Sequence, residues 1–353
     1  MKQMNWVFDS VKKPNEEQRH IAEQRQGSLT KPPGSLGRLE ELAIKMAALQ
    51  NQARPALNRP GISLFAADHG VADEGVSAFP QIVTGEMIKN FVSGGAAISV
   101  LARQIGARLE VVNAGTINPL KPMSGVIDAR IAAGTKNLFL QSAMDEDQLM
   151  QSLQLGRDAV KRHVEEGVDM FIAGDMGIAN TTSATAIICA LLGEAPAMIA
   201  GPGTGLDSAG VAHKAIVVRK ALQLHRLENS QVLDIIRCVG GFEINAMVGA
   251  YVYCAQAGLP ILVDGFISSA AALAAVRINP QIKEWMFVAH RSAEPGHSAI
   301  VESLGLTPIL DLGMRLGEAS GAAMALPLLR LACALHNEMA TFDEASVSEQ
   351  LND

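Results

Sequence analysis

Short, continuously apolar runs alternate along the chain with longer stretches of helical periodicity. The apolar runs at residues 62–67, 109–112, 170–173, 261–263, 286–289 and 308–310 predict strands. Their lack of polar alternation predicts burial on both faces, as in a parallel sheet covered by helices. Helical patterns fill the intervals at 84–104, 145–166, 181–192, 208–225, 243–257, 267–276 and 296–304. The alternation predicts an α/β class, a doubly wound and mainly parallel Rossmann-like sheet with right-handed crossovers. The chain ends differ, because no strand precedes residue 60 and two polar-faced helical patterns, 16–26 and 36–52, flank the connector Lys31-Pro-Pro-Gly-Ser-Leu-Gly37. A long Ala- and Leu-rich helix is expected over 318–339, followed by an acidic tail expected to fray. Residues 1–60 with 318–353 are thus expected to form a small helical domain, and 61–317 a large α/β domain.

Polar residues concentrate just after the strand candidates: Asp68-His-Gly70, Asn113-Ala-Gly115, Gly174-Asp175, Asp264-Gly265, His290-Arg-Ser292 and Asp311-Leu-Gly313. Ligands of open α/β sheets bind outside the carboxyl ends of the strands, so this punctuation maps one crevice. Turn-making and helix-capping account for some of it. Two segments stand out, Gly174-Asp-Met-Gly-Ile-Ala-Asn180-Thr-Thr and Gly201-Pro-Gly-Thr-Gly205 running on to Lys214. Each ends an apolar run and opens a helical one, the arrangement in which glycines and first-turn amides cradle an oxyanion. Together they point to a phosphorylated ligand held by Gly177, Asn180, Gly203 and Lys214; neither carries the Gly-Lys-Ser/Thr ending of a nucleotide-triphosphatase loop.

Composition narrows the ligand. With 353 residues, 48% hydrophobic, 18% charged and a formal net charge of −7, the chain has a large core and no general attraction for nucleic acid or an anionic membrane. A small molecule gripped locally fits better. Cys189, Cys238, Cys254 and Cys333 lack paired spacing and are expected as buried free thiols in a reducing cytosol. The polar amino terminus lacks a signal-like core, and the most apolar stretch, 255–276, is broken by Pro260, Asp264 and Gly265 before the roughly twenty apolar residues of a span. The expected location is the cytoplasm.

Among the acids, Glu318 lies in Leu316-Gly-Glu-Ala-Ser-Gly-Ala322, where small and apolar neighbours would desolvate a carboxylate and make it a better base. The alternative is a first-turn glutamate favoured by the helix dipole and paired with Arg315. Asp264 suits the vicinal hydroxyls of a ribose, or else a simple Asp-Gly turn. Ser77, Phe79, Pro80 and Met87 could wall an apolar ring pocket, and Arg291 with Ser292 could reach a phosphate or carboxylate or sit on the surface. Asp68, His69, His290 and His297 show no metal-ligand spacing, so neither metal nor cofactor is expected.

These motifs, in one order from Pro33-Gly-Ser-Leu-Gly37 through Ala66-Ala-Asp-His-Gly-Val71, Glu74-Gly-Val-Ser-Ala-Phe-Pro80, Gly174 to Thr182, Gly203-Thr-Gly-Leu-Asp207, Ala212-His-Lys214 and Val263-Asp-Gly265 to Leu316-Gly-Glu-Ala-Ser-Gly-Ala322, resemble the nicotinate-nucleotide–dimethylbenzimidazole phosphoribosyltransferases. The resemblance implies transfer of phosphoribose from nicotinate mononucleotide to 5,6-dimethylbenzimidazole, giving α-ribazole 5′-phosphate and nicotinate with inversion at the anomeric carbon, in cobalamin nucleotide-loop assembly. It implies Glu318 as the general base, a phosphate at Lys214 and the loops of Gly177, Asn180 and Gly203, and ribose contacts near Asp175 and Asp264. It places the base pocket at Ser77 to Pro80, Met87 and Leu316, and it implies a homodimer. The leaving pyridinium departs with a neutral ring nitrogen, so no metal is required. Asp175 stands where many members carry a glutamate. A related phosphoribosyl transferase or nucleosidase, and a nucleotide-sensing protein without transfer, are the competing classes.

Overall fold

The computed structural model describes residues 5–348. Its strands are β1 (Pro60–Ala67), β2 (Arg108–Gly115), β3 (Val126–Asp128), β4 (Met170–Met176), β5 (Ile261–Val263), β6 (Met286–His290) and β7 (Pro308–Leu310). They form one sheet in the order β3-β2-β1-β4-β5-β6-β7, parallel throughout. The chain winds outward from β1 through β2 and β3, then returns to start β4 on the other side of β1. That reversal is the switch point at which strand ends part and a crevice opens. Every residue of β1 is buried and β4 is buried up to its last residue, as the unbroken apolar runs require.

Helices cover both faces of the sheet. The helices Glu146–Glu165 and Phe242–Ala257 cross with their backbones close, because glycines remove side chains from the crossing. A Cβ on Gly156 would run into the Ala246 carbonyl, and one on Gly249 into Leu153 backbone. The expected helix over 84–104 is two helices, Ile82–Ser93 and Ala97–Ile105. The break is chemical: Gly94 adopts φ 85 and its carbonyl accepts a hydrogen bond from Arg103 Nη1 at 3.0 Å. β3, a partly exposed edge strand of three residues, and the helix Val232–Val239 were not expected.

Helices from the early and late parts of the described chain meet. The helices Glu16–Ser28 and Arg38–Gln50 lie in sequence far from Ser320–Glu338, yet Arg25 donates from Nε to the His336 carbonyl at 2.7 Å and from Nη2 to Asn337 and Met339 at 3.0 and 3.1 Å. A guanidinium thus satisfies carbonyls that a helix end leaves open. Leu29 and Thr341 add an isolated bridge. Beyond it, Thr341 and Glu344 form a reciprocal capping box that sustains a short helix, Phe342–Ala345, where fraying was expected. The end of the acidic tail, 349–353, lies outside the described residues. All four cysteines are buried and free, and among the described residues no helix is long and apolar enough to cross a membrane.

Candidate active site

A cleft of about 520 Å³ lies over the carboxyl ends of β4, β5 and β6. β4 delivers Asp175, the residues after β5 deliver Gly265 and Phe266, and β6 ends on His290; the turn before the last long helix closes the cleft with Leu316, Gly317 and Glu318. Its floor is built on unusual backbone. Gly317, Glu318 and Ala319 have successive φ of 85, 61 and 67, and Ala179 has φ 73. Non-glycine residues in the left-handed region carry strain that the surrounding structure must hold. The turn can lie against β4 because Gly174 has no side chain, and a Cβ there would sit 2.9 Å from the Glu318 carbonyl carbon.

Glu318 therefore precedes the helix instead of starting it, since the helix runs from Ser320. Its carboxyl is buried, its Oε2 has no hydrogen-bond partner, and Arg315, the expected partner, donates instead to the Gly203 carbonyl at 2.8 Å. Burial pushes the Glu318 pKa up; the Ile98 amide opposes this and the Asp264 charge reinforces it. A desolvated carboxylate with no cationic partner is the better proton acceptor.

Asp175 accepts a hydrogen bond from Asn180 Nδ2 at 2.9 Å, joining the end of β4 to the first residue of the helix Asn180–Leu192. Burial, followed by the Asp264 charge, pushes its pKa up to about 8. Beneath Gly177, His69 Nε2 and Glu243 Oε1 are 2.6 Å apart, both fully buried, and a Cβ on Gly177 would meet them at 3.3 and 3.1 Å. Asp68 Oδ2 accepts from the Ile117 amide at 2.7 Å. The Asp68-His69 pair is thus part of the scaffold under the loop. Among the described residues no group of three or more His, Cys, Asp or Glu is arranged to hold a metal ion.

The second glycine loop is clamped by three charged side chains. Lys214 Nζ donates to the Gly201 carbonyl and to Thr181 Oγ1, both at 3.0 Å; Arg315 holds the Gly203 carbonyl; and Glu294 Oε1 accepts the Gly203 N–H at 3.1 Å. Gly203 adopts φ 54. Burial pushes Lys214 down to about 8, with Glu294 pulling the other way.

Of the residues picked from sequence, Phe79, Asp175, Gly177, Asn180, Gly203, Ser292, Leu316 and Glu318 line the cleft together. Five do not line it. Lys214 lies beneath the wall, reaching it through Thr181. Asp264 is fully buried, its Oδ1 accepting from the Ala322 amide at 2.8 Å and 3.9 Å from His290 Nε2, so it braces the turn carrying Glu318. Met87 packs against the core from the helix Ile82–Ser93, Pro80 is exposed, and Ser77 touches the lining through Thr204 Oγ1 at 3.2 Å and the Phe79 amide at 3.4 Å. Thr181, Thr204 and Glu294 were missed. Thr181 follows Asn180 in the quoted motif and Thr204 follows Gly203, so both were legible there; Glu294 reads as an ordinary loop acid.

Sheet and cleft are those of a Rossmann-like α/β enzyme with a buried acid beside two glycine loops. The sequence pattern of a family described as phosphoribosyltransferase matches residues 11–347. A nicotinate-nucleotide–dimethylbenzimidazole phosphoribosyltransferase of Pseudomonas putida is 56% identical over 93% of this chain and 94% of its own; that of Pseudomonas aeruginosa is 53% identical over 98% and 99%. The crystal structure of the Thermus thermophilus enzyme of that name superposes with a TM-score of 0.90 at 42% identity, covering 95% of this chain and all of its own. The chain belongs to the nicotinate-nucleotide–dimethylbenzimidazole phosphoribosyltransferases, a family of pentosyltransferase enzymes.

Proposed function

We propose that the chain transfers phosphoribose from nicotinate mononucleotide to 5,6-dimethylbenzimidazole, with Glu318 as the general base. The observation that carries this reading is the Glu318 carboxyl, buried, without a partner on Oε2 and held at the cleft by a strained turn. Glu318 takes the proton from the imidazole N–H while the other ring nitrogen forms a bond to the anomeric carbon. The bond from that carbon to the pyridinium nitrogen breaks, and its electron pair leaves with nicotinate. A cationic leaving group becomes neutral at nitrogen, so little acid assistance is required.

The 5′-phosphate fits the glycine loops, where the Asn180 and Gly203 segments face the cleft and Lys214 supplies charge through Thr181. Asp175, beside the cleft floor, is the acid placed for a ribose hydroxyl; Asp264 supports the Glu318 turn from below. Phe79 and Leu316 offer apolar surface to the aromatic base, and they are 52% and 59% exposed, which favours their cover by a second copy in a homodimer. The helices of the two chain ends are read as one small helical domain.

The experiment is nicotinate release from nicotinate mononucleotide with and without benzimidazole. Release only with benzimidazole, matched by formation of the new nucleotide, supports the transferase. Release without it would make the chain a nucleosidase, and binding without release a sensor.

A further inference from the structure

We propose that Glu294 is a built-in competitor for the phosphate: its carboxylate holds the Gly203 N–H that an incoming phosphate requires, so phosphate binding displaces that contact and is coupled to uptake of a proton by Glu294. The inference rests on the reading of the glycine loops as a phosphate site.

Three observations carry it. Glu294 lines the cleft and is only 5% exposed, yet it sits in the middle of a cradle made of donors. Oε1 takes the Gly203 amide at 3.1 Å, while Oε2 is buried with no hydrogen-bond partner and lies where a Gly201 side chain would be. The backbone around it is fixed: its N–H meets Ser292 Oγ at 3.3 Å and its carbonyl accepts from His297 N at 3.0 Å, at the start of the helix His297–Leu304. The carboxylate is therefore delivered to the loop by a rigid segment and is not a wandering surface acid.

Groups facing it are cationic or donating: Lys214 and Arg315, whose charges both favour the carboxylate, and the Gly203 amide. Burial works against them and pushes Glu294 upward. The other titratable groups on the same cleft are Asp175, Glu318 and His290. A phosphate dianion brought against these cations competes for the same partners and repels a second negative charge a few ångströms away. Protonating Glu294 removes the repulsion and leaves an O–H able to donate to a phosphate oxygen. The balance is simple: one proton is taken from solvent as one anion binds. The consequence is selective, since a neutral sugar gains nothing from the exchange.

The test uses inorganic sulfate as the probe, because it keeps its charge across the range and any pH dependence belongs to the protein. Sulfate affinity of the full chain is measured by calorimetry between pH 5.5 and 7.5, below the value of about 8 at which Lys214 is half-neutralised, in two buffers of different ionisation enthalpy. The wild type is expected to bind more weakly as pH rises, by up to about tenfold per pH unit, with proton uptake visible as a buffer-dependent heat. Glu294→Gln, which keeps an oxygen for the Gly203 amide, should bind more tightly at pH 7.5, lose the slope and take up no proton. Asp175→Asn and Glu318→Gln should retain the slope. If Glu294→Gln keeps wild-type affinity and slope while Lys214→Ala loses sulfate, Glu294 is merely a clamp and the proposal falls with the phosphate site intact. Sulfate binding that ignores Lys214→Ala, or its absence from the wild type, overturns the phosphate site and the proposal with it.

Discussion

Gly174 and Glu318 lie back to back, the bare Cα of one strand residue leaving room for the main chain of the other. A Cβ on Gly174 would sit 2.9 Å from the Glu318 carbonyl carbon and 3.0 Å from Ala319 N and Cβ. These are backbone and short side-chain atoms that cannot swing away. Gly174→Ala is expected to fold with a loss of about 1–3 kcal/mol, typical of overpacking, and to lose turnover more than tenfold as the turn shifts. Denaturant unfolding and steady-state rates together check it; a variant matching wild type in both would separate the strand from the placement of Glu318.

Glu318→Gln keeps shape while removing basicity. Turnover is expected to fall about two to four orders of magnitude with both substrates still bound. Because burial raises the Glu318 pKa, the wild-type rate should decline as pH falls through a value above the roughly 4.3 of a free glutamate. The variant should show no such limb in its pH–rate profile. Near wild-type turnover at saturation would exclude Glu318 as the base.

Lys214→Ala removes the charge behind Thr181 and the clamp on the Gly201 carbonyl, and should weaken nicotinate mononucleotide binding by about 1.5–3 kcal/mol, the scale of hydrogen bonds to a charged group. The ammonium is charged below about 8, so wild-type affinity should also decline as pH rises past that point. Equilibrium titration at pH 7 and pH 9 measures both, and unchanged affinity in the variant would place the phosphate elsewhere.

Asp175 gives a stability prediction of opposite slope to most carboxylates. Its pKa rises from 3.8 to about 8 on folding, so between those values the folded chain holds a proton that the unfolded chain has released. Stability then falls as pH climbs from about 4 to about 8. Asp175→Asn, which removes the titration, should gain about 1–3 kcal/mol over wild type between pH 5 and pH 9. Parallel pH profiles of unfolding free energy for the two proteins would overturn it.

The fold was largely legible because the buried strands are apolar on both faces, and the helix Ser208–His225 was expected at its observed bounds. What escaped was local. The break at Gly94-Gly95 is a left-handed glycine cap backed by Arg103 only nine positions on, and apolar periodicity, which runs across it, does not register either. β3 is too short and too exposed for an apolar signal. In the cleft, residue type picked out Glu318, Asp175 and Gly203, which line it, but depth decided Asp264 and Lys214, each of which lies below the wall and bonds to a neighbour, Ala322 and Thr181. Glu294 carries no sequence mark, since its distinction comes from the Gly203 amide, 91 positions away.

The Arg25 contacts with the carbonyls of His336, Asn337 and Met339 set an order in time. The guanidinium is synthesised 311 to 314 residues ahead of the carbonyls it binds. The helix it anchors, Ser320–Glu338, begins two residues after Glu318. β1, β4 and the first glycine loop therefore precede Glu318 in synthesis, while the clamps of the second loop, Glu294 and Arg315, arrive nearly with it. A chain cut before residue 336 retains the sequence of every strand, β1 to β7, and loses the far anchor of the helix that follows its proposed base.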